Sequence, residues 1–211
     1  IAIIGVILVA SVGVLVYSLG QGSEPSGVSI TDAMGRNVVL NGVPERIVSC
    51  QPSTTETVYA LGFGSKLVGV SKNCDSPSEV SDRKESGDLK DVGSYSKPTL
   101  EAVAACEPDL VILDSSVAGQ AALLPQLETL NITVLMIYKP VTIDNIYDNL
   151  RLIGKAFQNT EVAEEVVASI ADKISEVQET IADYEKTVTA AYILGFYGNG
   201  ITVAGGNTFP T

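Results

Sequence analysis

Four short runs of the chain, 46–50 (RIVSC), 66–71 (KLVGVS), 109–114 (DLVILD) and 133–138 (TVLMIY), are apolar at consecutive positions, not at alternate ones. A strand with one face in water alternates, whereas a strand covered on both faces does not. Helical patterns separate the runs, so the order reads strand, helix, strand, helix. That order calls for right-handed crossovers and a doubly wound parallel sheet, an α/β fold. A fifth strand candidate, 187–194 (TVTAAYIL), comes only after a much longer helical stretch.

The helix boundaries follow from capping chemistry. Ser53 and Glu56 have the spacing of a capping box directly after the first strand, and Gly62 supplies a left-handed stop. Thr99 is placed to cap a helix running to about Cys106, Thr142 one running to about Phe157, and Asn131 to end a helix over 120–130. From 160 to 186, Val162, Val166, Ile170, Ile174, Val177, Ile181 and Tyr184 recur every three or four residues, with Glu161, Glu164 and Glu165 in the first turns. A helix of that extent is about 40 Å long, more than the depth of one small lobe. It reads either as a long packing helix or as a rigid backbone joining two lobes.

No charged residue occurs before position 20, and the run IAIIGVILVASVGVLVYSL is long enough to span a hydrocarbon core of roughly 30 Å as a helix. It lacks the polar region and small-residue cleavage site of a signal peptide, and no cysteine follows closely enough for lipid modification. An uncleaved transmembrane anchor is therefore expected over 1–20, with 21–27 (QGSEPSG) as a short linker.

Charge and residue usage exclude several functions. With 13 basic against 25 acidic side chains and a net charge of −12, the chain has no means of gathering phosphate backbones, so nucleic acid is not an expected partner. There is no histidine, which removes the commonest ligand for zinc, copper and nickel and the usual general base. A Ser/His/Asp or Cys/His catalytic arrangement is thus impossible, and neither a G-x-S-x-G elbow nor a phosphate loop is present. No cofactor and no metal site of the protein's own are expected. The three cysteines, Cys50, Cys74 and Cys106, are too few and too scattered for a disulfide scaffold.

Three blocks in order carry a resemblance. ITDAMGRNVVLNGVPERIVSCQPSTTETVYALGFGSKLVGVSKNCDSP, DVGSYSKPTLEAVAACEPDLVILD and TIDNIYDNLRLIGKAFQNTEVAEEVVASI resemble class III periplasmic binding proteins, the receptors for ferric siderophores, haem and cobalamin. The likeness runs from Ile30 to Phe209. It implies two doubly wound lobes joined by one long interlobe helix, with ligand in the cleft between them. Here that division falls at 28–158 for the first lobe, 159–186 for the helix and 187–211 for the start of a second lobe that the chain is expected not to complete.

In open parallel sheets, ligands sit beyond the carboxyl ends of the strands. Together with the resemblance, that rule nominates Gln51, Pro52 and Ser53 after the first strand, Lys72 and Asn73 after the second, and Ser115 and Ser116 after the third. The loop 93–97 (GSYSK) adds Tyr95 and Ser96, with the Tyr95 ring the preferred single contact. Tyr197, Asn207, Thr208 and Phe209 resemble the family's far cleft wall. Glu101 matches the acidic residue that docks on permease arginines. Cys50 and Cys74 either pair under the cleft floor or remain buried thiols, and Cys106 is expected at the opposite end of the sheet. The implied function is extracytoplasmic capture of an intact metal chelate, by a monomer working with an ABC permease and ATPase. A membrane-anchored α/β enzyme or a sensory domain of the same fold is the alternative.

Overall fold

The computed structural model describes residues 27–182 and the strands Ile193–Tyr197 and Gly200–Val203. The described chain opens with an antiparallel hairpin of β1 (Val28–Thr31) and β2 (Asn37–Leu40). Strands β3 (Ile47–Ser49), β4 (Leu67–Val70) and β5 (Lys90–Asp91) follow, then a small ribbon of β6 (Gly93–Ser94) and β7 (Lys97–Pro98), and then β8 (Leu110–Asp114) and β9 (Val134–Ile137). The main sheet runs β5-β4-β3-β8-β9, with every pairing parallel. The winding moves outward from β3 to β5 and then reverses, so β3 and β8 are neighbours whose chains leave in opposite directions. The last two strands, β10 (Ile193–Tyr197) and β11 (Gly200–Val203), form a separate antiparallel hairpin.

The consecutive apolar runs divide between two cores. Ile47, Leu110, Ile112, Leu135 and Ile137 face one way, while Val48, Val111, Leu113, Val134 and Met136 face the other. Helices cover both sides, as a doubly wound sheet requires. On the first side lie α1 (Pro52–Ala60) through Val58, and α2 (Ser78–Ser86) through Val80. On the second lie α3 (Leu100–Ala104) through Val103 and, beyond the four-residue α4 (Ala118–Ala121), α5 (Leu124–Thr129) through Leu127. The first side is completed by α6 (Ile143–Ala156) through Ile153 and by α7 (Thr160–Ile181) through Ala163.

Several boundaries differ from expectation for identifiable reasons. The capping box at Ser53 does not form: α1 starts at Pro52 with Gln51 as N-cap and no side-chain cap. A proline ring has the backbone angle of a first helical residue and no N–H to leave unpaired, so it takes that position itself. The helix expected over 120–130 is two helices, because Pro125 lies in the first turn of α5 and cannot carry a helix through from α4. Gly62 and Asn131 do adopt the left-handed conformation at helix ends. Thr142 caps α6 in a reciprocal box with Asn145, each side chain accepting from the other residue's backbone N–H.

Helix α7 is unbroken over its 22 residues, about 33 Å at the standard rise. Its packed face is centred on Ala163 and Val167, not on the full set of seven apolar positions. Near its start it crosses α6 at close range: a methyl group added to Gly154 would lie 2.4 Å from the Ala163 side chain. Arg151 on α6 also pairs with Glu164. Past Ile170 the helix leaves the body, and Val177 and Ile181 are exposed. The anchor expected over 1–20 lies outside the described residues. Among those described, no helix is long and apolar enough to cross a membrane.

The β1–β2 hairpin, absent from the strand expectations, closes the β9 edge of the sheet. Ala33 N–H donates to Met136 O, and Arg36 Nη2 to Val134 O. The buried Asp32 carboxylate ties this together, accepting from the backbone N–H groups of Met34, Arg36 and Met136 and from the Arg36 guanidinium. Removing one partner of such a pair strands the other groups without compensation. Asp32→Ala is therefore expected to lower stability by about 3 kcal/mol in urea unfolding, with the slope of the transition unchanged.

Candidate functional site

The reversal between β3 and β8 leaves a crevice at their carboxyl ends, where open α/β sheets hold ligands. A cleft of about 630 Å³ occupies that position. Gln51, Pro52 and Ser53 line it from the start of α1, Asn73 from the end of β4, and Tyr95 from the β6–β7 turn. Asp114, Ser116 and Val117 line it from the end of β8, and Lys139 and Pro140 from the end of β9. Six of the residues nominated from sequence thus meet on one wall: Gln51, Pro52, Ser53, Asn73, Tyr95 and Ser116.

Three other nominees lie near the crevice but turn elsewhere. Lys72 contributes backbone, its N–H donating to Gly93 O and its carbonyl accepting from Lys84 Nζ. Ser115 Oγ donates to Ile137 O, joining β8 to β9. Ser96 Oγ lies 3.1 Å from Ser94 Oγ inside its own turn. Tyr197 closes β10, opposite Gly200. Asn207, Thr208 and Phe209 lie outside the described residues.

The Tyr95 turn is held from both sides. Its N–H donates to Asn73 Oδ1 at 3.1 Å, and its carbonyl accepts from Gln120 Nε2 at 2.7 Å. Tyr95 is 46% exposed even though its backbone is held on both sides. Gln120, fully buried, was not anticipated from sequence. Its Nε2 also donates to Cys50 O, and its Oε1 accepts from Asp114 N–H at 2.8 Å. One amide therefore joins the ends of β3 and β8 to the Tyr95 turn. The neighbouring Gly119 permits the approach, since a methyl group there would lie 2.0 Å from Ser96 O.

The wall carries little charge. Among the described residues, Asp114 and Lys139 are its only ionisable side chains besides the Tyr95 phenol. One Asp114 oxygen already accepts from Ser116 N–H and Oγ, both at 2.7 Å. Among the described residues, no group of three or more acidic or thiol side chains is arranged to hold a metal ion. What the wall offers is apolar area, one aromatic face and a few fixed polar groups, which suits contact with an organic surface.

All three cysteines are free and buried, which resolves the alternative left open for Cys50 and Cys74. Cys74 Sγ lies 3.2 Å from both Thr55 Oγ1 and Ser71 Oγ, inside a small hydroxyl cluster. Burial, reinforced by the neighbouring thiols, pushes the Cys50 thiol far above its ordinary range. Cys106 sits at the other end of the sheet, where its carbonyl accepts from Arg46, and its thiol is raised chiefly by burial. Glu101 is exposed in the first turn of α3.

Comparison with known proteins decides the family. Residues 47–211 match the family model described as periplasmic binding protein. The chain belongs to the class III periplasmic binding proteins. Within this family it is 35% identical over 173 residues to the uncharacterised ABC transporter substrate-binding lipoprotein YvrC of Bacillus subtilis, a match covering 80% of this chain and 53% of that one. It is 28% identical to the cobalamin-binding protein of Halobacterium salinarum, covering 86% of this chain and 47% of that one. The crystal structure of a periplasmic heme-binding protein from Pseudomonas aeruginosa superposes with a TM-score of 0.69 at 28% identity, over 79% of this chain and 58% of the other. The chain spans about half the length of the curated relatives it matches.

Two outcomes follow from these contacts. Gln120→Met, nearly isosteric, takes the partner from three backbone groups, two of them in buried hydrogen bonds. It should cost about 2 kcal/mol and speed hydrogen exchange at the Asp114 amide, which loses its acceptor, more than at the interior β8 amides of Val111 and Leu113. A thiol reagent should modify none of the cysteines in the native protein and all 3 after denaturation, without prior reduction.

Proposed function

We propose that the chain is the ligand-receiving part of an extracytoplasmic substrate-binding protein of an ABC importer, and that its cargo is an intact metal chelate: a ferric siderophore, haem or a corrinoid. The observation that carries this reading is the wall at the switch point. It presents the open face of Tyr95 on a turn clamped by Asn73 and Gln120, beside polar groups already fixed by the sheet. Such a surface grips a bulky organic shell through area and orientation. It does not ligate a bare ion, and with no histidine in the chain it lacks an ordinary general base. The relatives' names point the same way, as substrate-binding, cobalamin-binding and heme-binding proteins. None is named as an enzyme.

In this reading α7 is the rigid member between two lobes. Support comes from its apolar Ile170, Ile174 and Val177, which border a shallow depression on the part of the helix that no other described element covers. Residues 187–211 begin the second lobe, with Tyr197, Asn207, Thr208 and Phe209 on its cleft wall. The uncharged run 1–20 tethers the protein to the membrane. Glu101, exposed and at the start of a helix, docks on permease arginines.

Thermal-shift measurements against cyanocobalamin, haemin and a set of ferric siderophores test the reading, because a ligand that binds only the folded state raises its stability by mass action. One chelate should raise the midpoint in a concentration-dependent way. Tyr95→Ala should then weaken its binding by about 1 kcal/mol, roughly fivefold. Glu101→Ala should leave affinity unchanged while reducing uptake in cells. Tight uptake of free zinc or manganese, with no response to any chelate, would overturn the proposal.

A further inference from the structure

A second cavity, of about 220 Å³, lies beside the cleft between α1 and α6. Gln51, Ser53 and Pro140 border both spaces, so the two adjoin. The floor of the side cavity is Ile137, Ile153 and Thr54, each at most 3% exposed, and Ile146 flanks it. Among the described residues, no ionisable side chain lines it. A dry cavity of roughly 150 Å³ holds a benzene molecule, so the space suits one small substituent and not a whole chelate.

Its polar groups divide into committed and open ones. Asn149 spends its amide on Tyr138, accepting from the backbone N–H and donating to the carbonyl, both at 2.8 Å. Thr57 Oγ1 donates to Ser53 O at 2.9 Å. Gln51 donates through Nε2 to Ser53 Oγ at 3.1 Å, which leaves its Oε1 without a donor among the described residues. The Thr54 hydroxyl likewise makes no hydrogen bond to another described residue. Both residues are more than nine-tenths buried and both line the cavity, and among the described residues no enclosed polar atom is left unsatisfied, so neither oxygen is sealed inside the protein.

The geometry points to a side-arm subsite that receives a short alkyl chain ending in a carboxamide, extending from a ligand held in the main cleft. An amide N–H matches Gln51 Oε1, an amide carbonyl matches the Thr54 hydroxyl, and the alkyl part matches the isoleucine floor. A carboxylate arm keeps the alkyl match and can accept from Thr54, but it fails on two other counts. It has no donor for Gln51, and it would lose its hydration with no cation among the lining residues. The subsite thus selects among chelates by their arms, and in that respect it rests on the proposed capture of an organic ligand in the cleft.

Small probes test the subsite independently of the chelate. The full chain with ¹³C-labelled isoleucine methyls is titrated with isobutyramide and with isobutyrate. Isobutyramide should shift the Ile137, Ile146 and Ile153 methyls in a saturable way at millimolar concentration, with Ile170 and Ile174 on α7 unaffected. Isobutyrate should bind at least roughly tenfold more weakly, given the uncompensated burial of its charge. Thr57→Phe, at a half-buried position by the cavity, should abolish the response. The isosteric Thr54→Val should weaken it several-fold and guards against a folding defect in the larger variant. No shift at the three methyls, an equal response to both probes, or shifts spread over α7 would overturn the subsite. A chelate screen that fails while the amide response persists would instead overturn the proposed cargo alone.

Discussion

Parallel strands β3 and β8 lie side by side while the chain leaves them toward opposite edges of the sheet. No loop can bridge that boundary, since each departing segment is drawn to its own side by the apolar face it must bury. The hollow that results is a consequence of connectivity and needs no particular side chain to open it. The residues following the strands need only be the right ones to furnish it. Pro52 starts its helix at once, which places Ser53 in the first turn facing the opening.

The hollow is furnished economically. A buried glutamine holds three backbone segments with one planar group, and a glycine beside it lets the ribbon settle onto a very short helix. The polar valences of the loops are thereby satisfied within the protein. The aromatic side chain at position 95 is left exposed at the opening. Rigid support beneath an exposed ring lowers the entropic penalty of ordering it on contact.

Much of this frame was legible in the residues because burial on both faces leaves a strong mark. Ile47 to Ser49, Leu110 to Asp114 and Val134 to Ile137 carry continuous apolar runs, and those runs are the interior strands. Lys90 and Asp91 make up an edge strand of two exposed polar residues, which has no hydrophobic signature to read. The hairpin at 28–40 does alternate in burial, with Val38 and Leu40 inward. What holds it to the sheet is a buried aspartate meeting a strand 104 residues away, and single-chain periodicity carries no trace of such a pairing. The same holds for the crevice. Loop residues at strand ends follow from a topological rule, so Gln51 and Asn73 could be nominated, and the likeness to the family pointed to Tyr95. Gln120 could not, because a glutamine on a short helix looks like any solvated residue until the fold turns it inward. Lys139 and Pro140 follow the fourth strand, β9, where the same rule also points.

The close crossing of α6 and α7 has a mechanical side. Where two helices touch through a glycine and an alanine, their separation is near its lower limit, and one added methyl group must wedge them apart. Because α7 then runs on for several turns that no other described element covers, a slight tilt at the crossing is magnified into a larger sweep toward Ile181. Positions 154 and 163 therefore set the angle at which α7 leaves the body, and a bulkier side chain at either would redirect its far end.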